Sequence, residues 1–169
     1  MVKRNIFEGP RERIVPSLLK PDTLRVMIVS AIYYDEISDR LLTGAERLLS
    51  KADVEHETFE VPGALEIPTA IRLAHHAVGF SGYIALGCII RGETSHYDVV
   101  CSESARGLTM LAQTPPGICI GNGILTVDTY SQALLRSNPD GADKGGDAAE
   151  AALALMTLEQ SLAIGPYGY

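Results

Sequence analysis

Apolar residues along this chain follow two patterns, dense runs rich in β-branched side chains and runs in which they recur every three or four positions. The dense runs, together with one run of alternating apolar and polar residues, predict strands over residues 23–34, 54–61, 82–90 and 117–127. The helically spaced runs predict helices over residues 38–52, 64–78, 96–113, 129–137 and 147–163. We expect Ser38 to be the N-cap of the first helix and Pro68 to lie in the first turn of the second.

The order of these elements predicts the fold class. Strands that are apolar on both faces and joined by helices are typical of a parallel sheet covered on both sides, and four of them are too few for a closed (β/α)₈ barrel. We therefore expect a three-layer α/β/α sandwich with an open parallel four-stranded sheet. Residues 23–163 form the predicted single domain, with residues 1–22 as an extended N-terminal arm and residues 164–169 as a C-terminal tail.

Composition narrows the possible partners. The formal net charge is −7, which argues against a general nucleic-acid binder, so any anionic ligand must be held by a local arrangement of donors. The three cysteines, Cys88, Cys101 and Cys119, predict neither a disulfide framework nor a metal site, and we expect Cys88 and Cys119 to be small core residues. With no signal-like segment and no apolar run of the roughly 18 residues that a membrane span requires, we expect a soluble cytoplasmic protein.

Candidate chemistry lies in the loops that follow the predicted strands, because ligands of open parallel sheets bind at the carboxyl ends of the strands. The segment IIRGETSHYDVV (89–100) places a glycine, two hydroxyls and a histidine where a buried strand ends and a helix begins. A helix N-terminus of this kind can hold an anion, and His96 beside it can transfer a proton near neutral pH. Alternatively, Thr94 or Ser95 simply caps the helix and His96 is a surface residue.

Other loops allow similar pairs of interpretation. Glu66, after the Pro62-Gly63 turn, could hydrogen-bond a hydroxyl-rich ligand or could stabilise its own helix N-terminus. Tyr33 could stack on a flat heterocycle or could cover the sheet edge. Arg136 and Lys144 could grip a phosphate or could only complement helix dipoles. Taken alone, Glu66 and Tyr33 favour the structural role, and the two cations gain value only beside a phosphate.

Four segments of the chain together resemble the 6,7-dimethyl-8-ribityllumazine synthase family. The segments are VPGALEIP (61–68), ALGCIIRGETSHYDVV (85–100), GNGILTVDTYSQALLRS (121–137) and DKGGDAAEAALALM (143–156). The resemblance implies a flavodoxin-like fold and a transferase that uses neither a metal nor an organic cofactor. It condenses 5-amino-6-(D-ribitylamino)uracil with 3,4-dihydroxy-2-butanone 4-phosphate and releases phosphate and water, a step of riboflavin biosynthesis.

The resemblance also implies a role for each matching residue. His96 matches the proton-transfer histidine. The residues implied for the butanone phosphate are Glu93, Thr94, Arg136 and Lys144. The residues implied for the ribitylaminouracil are Tyr33, Ala64, Leu65, Glu66, Cys88, Ile89, Ile90 and Asn122.

The chain departs from the family pattern at four positions. Ile32 stands where an arginine is frequent, and Asn122 stands where many members have an aromatic residue from the neighbouring subunit. Asp143 replaces the usual asparagine, and Asp140 replaces a basic residue. We expect the two acids to weaken phosphate binding through their negative charge, and we interpret all four changes as tuning.

Finally, the resemblance implies self-association. Family members form pentamers, and some form shells of twelve pentamers, with active sites shared between subunits. Asn122, Arg136 and Lys144 would then act beside a neighbour's His96, and the N-terminal arm would add to a neighbour's sheet. The alternative to an enzyme is a non-catalytic protein of the same fold that binds riboflavin or a lumazine, or one that only builds a shell. The retained His96, Arg136 and Lys144 favour the enzyme.

Overall fold

The computed structural model describes residues 24–77, 79–115 and 117–164, in which strands and helices alternate until two helices end the domain. The strands are β1 (Arg25–Ala31), β2 (Glu55–Val61), β3 (Gly82–Ile90) and β4 (Ile120–Val127). The helices are α1 (Asp35–Lys51), α2 (Ile67–Ala77), α3 (His96–Gln113), α4 (Tyr130–Ser137) and α5 (Lys144–Ile164). The predicted arm, residues 1–22, lies outside the described residues, as do residues 165–169 of the predicted tail.

The four strands form one open sheet in the order β2-β1-β3-β4, and every pair is parallel. This confirms the predicted α/β class, a flavodoxin-like arrangement. The chain leaves β1 toward one edge to make β2, then crosses back to make β3 and β4 on the other side. The direction of winding therefore reverses between β1 and β3, and it is above this point that open parallel sheets form a crevice.

Alternate residues of the central strands pack into two separate cores. On β1, Val26 and Ile28 face the layer of α1, α4 and α5, whereas Met27 and Val29 face the layer of α2 and α3. All four side chains are buried. A strand whose successive side chains point to opposite faces can be apolar throughout only if both faces are covered, so the burial accounts for the dense apolar runs in the sequence.

The start of α1 differs from the prediction. The helix begins at Asp35, with Tyr34 in the N-cap position, so the prediction of Ser38 as N-cap was wrong. Ser38 lies inside the helix, where its buried hydroxyl donates to the carbonyl oxygen of Ala31 at 2.7 Å. The acidic residues of the first turn, Asp35 and Glu36, complement the helix dipole instead of a capping hydroxyl. Pro68 lies in the first turn of α2, as predicted.

The start of α5 also differs, because the helix begins three residues before the predicted one. Gly145 and Gly146 belong to its first turn, and a Cβ at Gly145 would lie 1.8 Å from the carbonyl oxygen of Leu41 on α1. The carboxylate of Asp143 accepts a hydrogen bond from the Gly146 N–H at 3.0 Å, as an N-terminal cap does. These two glycines, which precede the predicted start of the helix, therefore permit a close contact between two helices.

The cysteines have the environment predicted for core residues. Cys88 is buried and Cys119 is partly buried against the core of the α1, α4 and α5 layer, and all three cysteines are free thiols. No helix within the described residues is long and apolar enough to cross a membrane.

Candidate active site

A cleft of about 500 Å³ opens at the carboxyl ends of β1, β2 and β3, above the reversal in strand order. This volume lies within the range of sites for small organic ligands. The loops after β1, β2 and β3 and the first turns of α3 supply its walls. The lining residues are Tyr33, Tyr34, Pro62, Gly63, Ala64, Leu65, Glu66, Cys88, Ile89, Ile90, Gly92, Thr94, His96, Tyr97 and Val100.

The floor of the cleft is apolar and rigid. Cys88 and Ile89 are among the last three residues of strand β3, and Ala64 lies in the loop after β2. Each of these side chains is only 7% exposed. Burial raises the pKa of the Cys88 thiol to about 12, so the thiol is uncharged at neutral pH and contributes apolar surface, not a nucleophile. Such a floor can carry a flat ring by contact alone.

One wall carries an aromatic residue that is open to the solvent. Tyr33 is 73% exposed, and its ring meets the edge of Tyr34 at a centroid distance of 4.9 Å. Tyr34 in turn meets Tyr130 at 6.3 Å, and the Tyr130 hydroxyl donates to Glu36 at 2.9 Å. This hydrogen bond lowers the pKa of Glu36. The row of three rings leaves the face of Tyr33 available for stacking on a heterocycle.

The opposite wall carries a carboxylate. The turn at Pro62-Gly63 ends β2, and the N–H of Glu66 bonds to the carbonyl of Gly63 at 3.3 Å. A Cβ at Gly63 would lie 3.0 Å from Oε2 of Glu66, so the carboxylate folds back over the bare backbone of the turn. Glu66 lines the cleft and is exposed, so it can accept hydrogen bonds from ligand hydroxyls.

The β3–α3 loop brings Gly92, Thr94 and His96 to the same cleft. The helix begins at His96, as predicted, and the Thr94 hydroxyl accepts a hydrogen bond from the His96 N–H at 3.3 Å. Ser95 occupies the N-cap position but makes no capping hydrogen bond through its side chain. Thr94 lies one residue before the N-cap and also lines the cleft. The His96 side chain is exposed and makes no hydrogen bond within the described residues, which leaves both ring nitrogens available.

Four of the sequence-predicted residues do not line this cleft. Asn122 is exposed in the middle of the edge strand β4, opposite Ala85, and its Oδ1 accepts from the Ile124 N–H at 3.0 Å. Arg136 lies in the last turn of α4. The residues of this set are Glu93, Asn122, Arg136 and Lys144.

Lys144 and the two acidic departures have partners of their own. The Lys144 ammonium pairs with Asp147 at 2.6 Å. Asp140 pairs with Arg47 of α1 at 2.6 Å, and Asp143 caps α5. The negative charge of Asp140 is therefore partly balanced by an arginine of α1, which reduces the effect on phosphate that we expect from the sequence. Asp143 is occupied in capping α5.

Six lining residues were not among the predicted site residues: Tyr34, Pro62, Gly63, Gly92, Tyr97 and Val100. Tyr97 and Val100 extend the wall beyond His96 along the first turns of α3. Val100 lies four positions after His96, a spacing that places both on one face of a helix, and this is the signal by which it could have been found. Among the described residues, no three His, Cys, Asp or Glu side chains gather in a way that could hold a metal ion.

An open parallel sheet with an apolar cleft at its winding reversal and a histidine on the cleft wall defines an α/β protein that handles a small organic molecule at the carboxyl edge. Sequence comparison narrows this class. The sequence profile of 6,7-dimethyl-8-ribityllumazine synthase matches residues 23–160. This chain belongs to that family, whose members are transferases of riboflavin biosynthesis.

Individual relatives carry the same name over nearly the whole domain. The 6,7-dimethyl-8-ribityllumazine synthase of Jannaschia sp. (strain CCS1) is 54% identical over 147 residues, which are 87% of this chain and 80% of the relative. That of Novosphingobium aromaticivorans is 51% identical over 80% of this chain and 96% of the relative. That of Sphingopyxis alaskensis is 50% identical over 83% of this chain and 98% of the relative.

Proposed function

We propose that this chain condenses 5-amino-6-(D-ribitylamino)uracil with 3,4-dihydroxy-2-butanone 4-phosphate, as the names of its relatives indicate. The observation that supports this most directly is the composition of the cleft. It combines an apolar floor, an exposed ring at Tyr33, a carboxylate at Glu66 and an imidazole at His96. These are the groups that a flat pyrimidine, a polyhydroxyl chain and a proton transfer require.

In this proposal the pyrimidine lies on the floor of Cys88, Ile89 and Ile90 with the Tyr33 ring against its face. Glu66 accepts hydrogen bonds from the ribityl chain. The amine of the uracil attacks the ketone, and water leaves to give an imine. Phosphate is then eliminated, and the resulting enol tautomerises to a ketone. Attack of the ribityl-bearing nitrogen on this ketone closes the ring with loss of a second water. His96 carries protons between these groups. Alignment of the two reactants supplies most of the rate, since good orientation can lower a barrier by roughly 7–11 kcal/mol.

The phosphate requires a group that the described cleft lacks. None of its lining residues is a lysine or an arginine, yet the second substrate carries a dianionic phosphate. We therefore assign the phosphate to Arg136 and Lys144 of a neighbouring subunit, beside Glu93 and Thr94 of the β3–α3 loop, with Asn122 of the neighbour at the rim. Self-association, as a pentamer or a larger shell, follows from this assignment, and a cytoplasmic location remains a prediction from the sequence.

The deciding experiment mixes the purified chain with both substrates and follows the absorbance of the lumazine against the uncatalysed background. We expect rapid formation by the wild type and a rate at least about tenfold lower for His96→Ala, the size of effect typical for a proton-transfer group. Sedimentation velocity on both proteins checks that the assembly is unchanged. If the wild type does not accelerate the reaction but binds riboflavin tightly, the fold serves binding and the proposal is wrong.

A further experiment tests the phosphate assignment. Arg136→Ala should raise the KM of the butanone phosphate much more than that of the uracil. Mixing Arg136→Ala chains with His96→Ala chains should then restore part of the activity, because some sites combine an intact Arg136 with an intact His96. Equal changes in both KM values, or no recovery on mixing after reassembly, would contradict an arginine shared between subunits.

A further inference from the structure

Arg91 makes three contacts that enclose the loop carrying His96. Its Nε donates to Asp128 at 3.1 Å, and its Nη1 donates to Asp98 at 3.4 Å. The guanidinium carbon also lies 4.0 Å from the centre of the Tyr97 ring. Tyr97 and Asp98 directly follow His96, so Arg91 at the start of the loop contacts the two residues just after its end.

The far end of this grip is anchored in the sheet. The Arg91 N–H bonds to the Val127 carbonyl at 2.9 Å and extends the ladder between β3 and β4. Asp128 comes next in the chain, and its N–H is held by the side chain of Gln132 at 2.9 Å. The hydrogen bond with Asp128 raises the pKa of Arg91, as expected for a paired guanidinium.

The loop itself, residues 91–96, is exposed at every position. A Cβ at Gly92 would have no atom within 4 Å, so a side chain there would enter open space. Within the described residues, the hydrogen bond from the His96 N–H to Thr94 is the one side-chain contact internal to the loop. The position of the His96 imidazole therefore depends on where the first turn of α3 lies. Tyr97 and Val100 pack this part of the helix against the core, and the contacts of Arg91 with Tyr97 and Asp98 tie it to the end of β4.

We propose that Arg91 is a positioning residue, which braces the β3–α3 loop against the end of β4 and thereby aligns His96 and Thr94 over the cleft. The role rests on the proposed function of His96. A guanidinium suits it because its planar fork can bond two carboxylates while its face lies on a ring, whereas a lysine offers a single charge. Arg91 does not itself line the cleft, and the lining residue that its guanidinium contacts is Tyr97.

The contacts are exposed, which separates a positioning role from a stabilising one. The side chain of Arg91 is 46% exposed and those of Asp98 and Asp128 are 64% and 66% exposed. Exposed ion pairs contribute little to the free energy of unfolding, so the loss of Arg91 should leave stability nearly unchanged. A displacement of a catalytic group by about 1 Å can nevertheless cost up to about 100-fold in rate.

The kinetic test compares Arg91→Gln with Arg106→Gln, in which an arginine of α3 loses its exposed ion pair with Glu103. We expect Arg91→Gln to lower kcat about 10- to 100-fold with KM for the uracil changed less than about threefold, at an unchanged melting temperature and assembly. Arg106→Gln should stay within twofold of the wild type. Asp128→Asn should lower kcat in the same way, and the double variant should be no slower than Arg91→Gln.

Two further variants decide whether Arg91 acts through His96. In a His96→Ala background, Arg91→Gln should cost less than about threefold, because the group that it aligns is missing. Arg91→Lys should recover only part of the rate. If Arg91→Gln retains a wild-type kcat, the proposal is wrong. It is also wrong if the rate loss of the double variant equals the product of the losses caused by Arg91→Gln and His96→Ala alone.

A readout independent of turnover accompanies the kinetics. Hydrogen exchange of the amides from His96 to Val100, measured on the full assembly, should be several-fold faster in Arg91→Gln than in Arg106→Gln, with the β4 amides unchanged. If the exchange of these amides is unchanged in Arg91→Gln, Arg91 does not position the loop, whatever the activity of the wild type. If the wild type makes no lumazine but exchange responds as expected, the brace stands and the proposed function of the chain is the part that fails.

Discussion

Helices α1 and α3 have nearly the same length and cover opposite faces of one sheet, but they are buried to very different extents. α1 buries seven of its 17 residues. α3 buries only Ser104 and Leu108 among 18 residues, and it exposes Val99 by 51% and Met110 by 55%. α1 has no large apolar side chain among the exposed ones, whereas α3 leaves apolar side chains uncovered and carries part of the cleft wall.

The difference teaches where this protein places stability and where it places chemistry. α1 packs closely against α5 at Gly145, where there is no space for a Cβ atom. α3 presents His96, Tyr97 and Val100 to the cleft from its first turns and presents exposed apolar residues further along. A second subunit can cover the exposed apolar residues of such a helix, in agreement with the proposed assembly.

The largest expected effect tests the closely packed side. Gly145→Ala should destabilise the domain by more than about 3 kcal/mol, although alanine normally stabilises a helix interior by about 1 kcal/mol over glycine, because the new Cβ would overlap the Leu41 carbonyl. Urea denaturation measures the change. Gly92→Ala, where a Cβ meets nothing, is the matched control and should cost less than about 1 kcal/mol. Equal losses would show that the close contact is unimportant.

The next effect compares one core leucine from each helix. Leu41 on α1 is fully buried and Leu108 on α3 is 3% exposed. We expect Leu41→Ala to cost about 3–5 kcal/mol and Leu108→Ala about 2–3 kcal/mol, since the sparser surroundings of α3 can collapse into the cavity. The same denaturation experiment measures both. A larger loss for Leu108→Ala would reverse the comparison.

A smaller effect on the single chain tests the uncovered side. Met110→Glu should change the free energy of unfolding of an isolated chain by less than about 0.5 kcal/mol, because the side chain is already exposed. It should, however, reduce the size of the assembly seen by sedimentation velocity. Ser50→Glu adds the same charge to an exposed position of α1 and should leave the assembly intact. Assembly that is unaffected by Met110→Glu would mean that this part of α3 remains exposed.

The last effect is a pH dependence of the free energy of unfolding. Burial raises the pKa of Cys88 from 9.0 to about 12, so the folded state keeps the proton while the unfolded state loses it above pH 9. Stability from this thiol is therefore complete below pH 9 and declines as the pH rises toward 12. Between pH 8 and 10, the free energy of unfolding of Cys88→Ala should fall by about 1 kcal/mol less than that of the wild type. Parallel pH profiles would show that the thiol ionises equally in both states.

Most elements of the fold could be predicted from local patterns. The buried strand from Gly82 to Ile90 and the helix from His96 to Gln113 have the predicted bounds, because apolar spacing and the polar loop between them leave few alternatives. The starts of α1 and α5 could not be predicted. Ser38 looks like a cap until its hydroxyl finds the Ala31 carbonyl, and the glycines at 145 and 146 look like a turn until α1 packs against them.

The candidate site divides in the same way. Tyr33, Glu66 and His96 could be placed at one edge from the sequence because each follows a strand, and parallel strands bring their carboxyl ends together. That principle needs no knowledge of how side chains pack. It also explains why nine of the predicted site residues share one cleft: Tyr33, Ala64, Leu65, Glu66, Cys88, Ile89, Ile90, Thr94 and His96. The family resemblance, and not this position, favoured a site role for Tyr33 and Glu66.

Contacts between distant segments were decided by the tertiary structure alone. Arg91 meets Asp128, 37 positions further along, and Asp140 meets Arg47, 93 positions earlier. No local spacing encodes such pairs, because they depend on the register between β3 and β4 and on the packing of α1 against the turn before α5. Periodicity specifies which face of an element is buried, and only the packed chain specifies which side chains from separate elements come within hydrogen-bond distance.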